Sequence, residues 1–107
     1  MLEQLPNLKF FSRAYWNQMG AEAYGNIEAA FRHLLADAAC LPDKGASIRR
    51  ELYGELMVIL DSDAYGSWVK LNRTNVATIK AIGGRFIMPE QVKPLMAILD
   101  ESFDPDA

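Results

Sequence analysis

Leu5-Pro6-Asn7-Leu8-Lys9-Phe10-Phe11-Ser12-Arg13-Ala14-Tyr15-Trp16-Asn17-Gln18 sets apolar side chains at helical spacing and closes on an amide pair. Leu8, Phe11, Tyr15 and Met19 recur at steps of three and four, as one buried stripe of a helix requires, with Phe10 and Ala14 alongside. Pro6 suits the first helical position, where a backbone N–H has no partner to lose. Gly20 reads as the stop. Tyr15 and Trp16 are adjacent, so they point about 100° apart. One of them therefore faces the rim, where aromatic side chains serve as interface anchors.

Working outward, Asn26 is placed to cap a second helix whose stripe is Ile27, Ala30, Phe31, Leu34 and Ala38. Glu28 in its first turn suits the helix dipole, and Leu41-Pro42 ends it. A third helix follows, capped by Asp43 or Ser47, with Ile48, Leu52, Leu56, Ile59 and Leu60 on its buried side. Glu51 and Glu55 lie one turn apart on a neighbouring face and are expected to point to solvent. Ser62 caps a short helix carrying Tyr65, Trp68, Val69 and Leu71, and residues 72–75 form a turn. Gly83-Gly84 fits a helix C-cap or the turn of a small hairpin within residues 77–88. The three-residue recurrence of Val76, Ile79 and Ile82 favours the helix. A last helix opens around Pro89, holds Pro94 near its start and runs to about Phe103, leaving residues 103–107 to fray. The expected fold is all-α: one domain over residues 1–107, a bundle of about five helices.

Composition narrows the class. Half of the 107 residues are hydrophobic, enough for a core without covalent staples. Cys40 is the single cysteine, so no internal disulfide forms, and a reducing cytoplasm is the expected compartment. The N-terminus shows no signal-peptide pattern, and no apolar run approaches the ~18 residues of a membrane span. The net charge is −3, which argues against nucleic acid as a direct partner. The charge is unevenly spread. From Gly66 to Met88 there are Lys70, Arg73, Lys80 and Arg85 and no acid, while the rest of the chain holds all 14 acids. These four bases are expected to pair with acids of neighbouring helices, and the acidic remainder suits docking on a basic partner.

Catalytic motifs are not apparent. His33 has Asp37 one turn on, but a surface histidine without special role is the plainer reading. Cys40 lacks a neighbouring base or helix N-terminus to activate it and reads as an inert, partly buried thiol. One histidine and one cysteine cannot furnish a zinc site of the usual ligand count. The Asp61-Ser62-Asp63 run lacks the spacing and closing glutamate of a calcium loop. Gly83-Gly84 lacks the lysine–hydroxyl pair of a phosphate loop. No cofactor or metal is expected.

Leu8, Phe11, Tyr15-Trp16-Asn17-Gln18, Gly25 and Ala29-Ala30, continued by Glu51-Leu52 and Glu55-Leu56, form a pattern over roughly the first sixty residues. It resembles bacterial contact-dependent growth inhibition immunity proteins, many of which carry histidine at the position of Asn17 and aspartate at that of Met19. The resemblance implies a small, helical, cytoplasmic, non-enzymatic protein. It also implies a protein partner, the C-terminal domain of a cognate toxin, often a nuclease, which it blocks by binding. The family's toxin contacts vary, so the shared block reads as scaffold. The acidic surface then supplies the expected contacts: Glu51, Glu55, Asp61 and Asp63 as charges, with Tyr65 and Trp68 as anchors. A small self-assembling adaptor or regulator is the alternative, and the oligomeric state is left open.

Overall fold

A computed structural model describes residues 2–41 and 45–102. They fold as seven α-helices: α1 Pro6–Ala14, α2 Gln18–Tyr24, α3 Ile27–Ala39, α4 Gly45–Asp61, α5 Asp63–Asn72, α6 Val76–Ile82 and α7 Val92–Ser102. Short 3₁₀ turns at Leu2–Gln4 and Pro89–Gln91 precede α1 and α7. There is no β-strand among the described residues, so the chain is all-α as expected, with seven helices rather than about five. The Asp43 cap and the frayed tail at residues 103–107 lie outside the described residues.

The central helix is α4, which packs against α1, α3, α5 and α7. Its Leu52, Leu56 and Ile59 meet Leu8 and Phe11 of α1, Phe31 and Leu35 of α3, and Leu95 and Ile98 of α7 in one apolar core. Each fully buried side chain of this size contributes roughly 1.5–3 kcal/mol. Helix α3 follows its sequence reading closely. Asn26 accepts the Ala29 N–H at 2.7 Å, and the whole stripe from Ile27 to Ala38 is buried.

The first helix does not. The expected run through to Gly20 breaks after Ala14 because the chain turns a corner at Tyr15–Asn17. The Tyr15 and Trp16 N–H groups both donate to the Phe11 carbonyl, at 2.9 Å each. Asn17 then serves both helix ends: its Nδ2 donates to the Arg13 carbonyl at 2.8 Å, and its Oδ1 accepts the Gly20 N–H at 2.7 Å. Gly20 is thus inside α2, not a stop. A Cβ there would sit 1.9 Å from the Tyr15 carbonyl oxygen, so only glycine lets the corner close. The stop is Gly25, at φ +86°. The corner reverses the expected burial, leaving Trp16 in the core and Met19 81% exposed.

Elsewhere α4 starts at Gly45, so Ser47 lies inside the helix rather than capping it. Leu60 is exposed, against the buried place expected for it, and Leu71 is exposed as well. Residues 77–88 contain no hairpin. Asn75 caps α6 by accepting the Ala77 and Thr78 N–H groups, and Gly83 ends it in the left-handed region at φ +75°. No helix among the described residues is long and apolar enough to cross a membrane.

Candidate interaction surfaces

The acidic stretch divides into structural and free charges. Helix α1 begins at Leu5-Pro6, which offers neither a capping side chain nor an N–H at the first helical position. Its first free donors are Asn7 and Leu8, and α4 supplies the acceptor. Glu55 Oε1 accepts the Leu8 N–H at 2.9 Å, and Oε2 accepts Asn7 N–H at 3.3 Å and Asn7 Nδ2 at 2.7 Å. A carboxylate at a helix N-terminus also opposes the positive end of the dipole. Glu55 is therefore buried, against its expected solvent-facing place, because a helix more than forty residues upstream needs a cap. Glu51 is exposed and steadies the same asparagine, accepting Asn7 Nδ2 at 2.9 Å.

Asp61 closes α4 and Asp63 opens α5; both are exposed. Tyr65 is not a surface anchor. It is buried, with its hydroxyl donating to the Ile87 carbonyl at 2.8 Å, and burial raises its pKa well above the ordinary phenol value. Trp68 is half-buried between Tyr65 and Phe86, with ring centroids 5.7 and 5.4 Å away. These rings support the segment before α7. On the same side of α4 as Glu51 and Asp61 stands Val58, two turns from the first and one from the second, and about half exposed.

A second surface was not foreseen. Residues 83–88 run back across α1 and the corner. The Arg85 N–H donates to the Trp16 carbonyl at 2.9 Å, and the Ser12 hydroxyl donates to the Arg85 carbonyl. Gly84 permits this approach, since a Cβ there would lie 1.9 Å from the Ser12 carbonyl oxygen. The Arg85 guanidinium sits 5.4 Å from the Trp16 ring centroid. Two adjoining clefts open beside this crossing, of about 740 and 390 Å³, sharing Ile79, Gly84 and Arg85. Met19 and Glu22 line the larger; Trp16, Arg73 and Phe86 line the smaller. The signal available in the sequence was the acid-free run holding a glycine pair, read there only as a turn or cap.

The pairing expected for the basic segment does not occur: Lys70, Arg73, Lys80 and Arg85 form no ion pair among the described residues. His33 lies on the outer side of α3 with Nε2 3.5 Å from Asp37 Oδ2. That oxygen also accepts the Tyr15 hydroxyl at 2.7 Å. Partial burial, then the Asp37 bond, pushes the Tyr15 pKa up to about 12. Cys40 is exposed rather than partly buried, since α3 ends beside it. Among the described residues no cluster of three or more His, Cys, Asp or Glu side chains is placed to hold a metal ion. Compared with protein-family models, curated proteins and solved structures, the chain matches none.

Proposed function

We propose that the chain is an immunity protein that neutralises a cognate contact-dependent growth inhibition toxin by stoichiometric binding to its C-terminal domain. It performs no chemistry of its own and works in the cytoplasm, where its lone exposed thiol is kept reduced. The observation that carries this reading is the face around Val58. From Glu51 to Val69 the chain has four acids and no base; three of those acids are exposed, and a half-exposed aliphatic side chain stands among them. A nuclease cleft shaped for phosphates is basic, and such a face complements it. The residues behind the family resemblance support this division of labour, because Phe11, Trp16 and Asn17 serve the core and the corner.

The test is binding to the C-terminal domain of a large secreted exoprotein encoded immediately upstream. A one-to-one complex that abolishes toxin activity is expected. Reversing Glu51, Asp61 and Asp63 to lysine should slow association about tenfold or more at low salt, with the difference shrinking as salt rises. Unchanged association rates would remove the face from the interface, and absence of any complex would remove the function. Self-assembly is the second reading, favoured by Leu71 and Val76, which are 80% and 64% exposed. A stable homo-oligomer in sedimentation, with no toxin complex, would establish it.

A further inference from the structure

We propose that the smaller cleft, between α6, the corner after α1 and the 83–88 segment, docks an acidic segment of a partner protein in which carboxylates flank an aliphatic or aromatic side chain. This surface is separate from the Val58 face and does not depend on the toxin reading.

The argument begins with charge. Arg73 and Arg85 line the cleft, both are exposed, and neither is paired with an acid among the described residues. Arg13 adds to the field, since its side chain lies against Gly83. Unpaired guanidiniums in a concave site are forks for carboxylates. Apart from Gly84 and Gln91 the remaining lining is apolar: Trp16, Ile79, Phe86 and Met88 supply a floor and walls. At about 390 Å³ the cleft has the size of a site for a small group. The only acid along the two clefts is Glu22, and it lines the larger one alone. Met19, 81% exposed, lines that larger cleft and extends the apolar surface beyond the basic part.

A peptide fits this arrangement better than a nucleic acid does. Trp16 is 7% exposed and its ring is occupied by Arg85, so it offers no free face for base stacking. Two lining arginines on a protein of net charge −3 make a poor track for a phosphate backbone. They suffice to place two carboxylates about an apolar anchor. The Arg85 backbone is held on both sides, by Trp16 of the corner and Ser12 of α1, which reduces the ordering required on binding.

The test uses the unaltered protein in isothermal titration calorimetry, which keeps Trp68 packed on Phe86 of the cleft wall. The protein is titrated with a short peptide alternating glutamate with leucine and phenylalanine. A lysine-for-glutamate peptide, an alanine-for-leucine-and-phenylalanine peptide and an oligothymidylate serve as comparisons. Saturable binding of the first peptide is expected, weakened about tenfold or more by Arg73→Glu and by added salt, with the comparison ligands at least tenfold weaker. Arg73 is exposed and bonds only through its backbone, so its substitution leaves the fold intact. The proposal is overturned by no saturable binding, by equal binding of the lysine peptide or the oligothymidylate, or by indifference to Arg73→Glu. A homodimer that is broken by Arg73→Glu would also overturn it, giving the cleft to a second copy of the chain.

Discussion

The Val58 face and the Arg85 cleft are adjacent in sequence and opposite in charge, yet they are built in different ways. The face is the outer side of α4 and the start of α5, where regular helices set each side chain by its place in the turn. There the fold withdraws a charge: Glu55 is used to cap α1, so the number of acids overstates what a partner meets. The cleft comes from close backbone crossings at a corner, where glycine rather than helical phase sets the shape. There the fold withdraws none of the four bases into ion pairs among the described residues, although Arg85 is held over a tryptophan. A charge run in a sequence therefore does not state how many of its members are available. What decides is whether a neighbouring helix lacks a cap, or a loop must cross another chain segment.

The sharpest way to break this contrast is Gly84→Ala. A Cβ that would lie 1.9 Å from the Ser12 carbonyl must push the 83–88 segment off α1, because backbone on both sides leaves nothing flexible to yield. The expected loss is about 2–4 kcal/mol in denaturant unfolding, accompanied by loss of peptide binding at the cleft. A fully stable, peptide-binding variant would show that the close crossing does not form the cleft. On the face, Glu55→Ala should cost about 2 kcal/mol, since it strips charge-assisted bonds from the buried Leu8 N–H and the part-buried Asn7. Glu51→Ala, with one exposed bond to lose, should stay within about 0.5 kcal/mol. Equal costs for the two would remove the distinction between structural and free acids.

The legible parts of the molecule are those where one element decides its own shape. Asn26 and the stripe of α3 needed no tertiary information, nor did the helix end at Gly83, one of the two readings open for the glycine pair, whereas Asn75 read only as part of a turn and proves to be the α6 cap. The corner at Tyr15–Asn17 was hidden because Leu8, Phe11, Tyr15 and Met19 keep helical period straight across it, and period alone cannot report a bend. Gly20 looked like a terminator because its constraint, a carbonyl from the preceding turn, is not written beside it. Glu55 and Tyr65 were misplaced for a related reason. Each answers to a backbone group distant in sequence, Leu8 in one case and Ile87 in the other. The acid-free run was visible, but not the crossing that turns it into a cleft.

The smallest effect is the most discriminating for the face itself. Gly54 lies within α4 on the same side as Glu51, Val58 and Asp61, and a Cβ there would meet nothing within 4 Å. Gly54→Ala should stabilise the protein by roughly 0.5–1 kcal/mol, by raising helix propensity and by restricting the unfolded chain. For a chain of this size that is a rise in Tm of about 2–6 °C. The substitution adds one methyl to the proposed contact surface and changes no charge. A partner that packs closely over Val58 must therefore bind the stabilised variant more weakly, whereas one steered only by the acids must bind it as before. Weaker toxin binding with a higher Tm would place Gly54 under the partner, and unchanged binding with a higher Tm would confine the contact to the charged rim. A lower Tm would mean that the helix at Gly54 is held by something other than its own backbone.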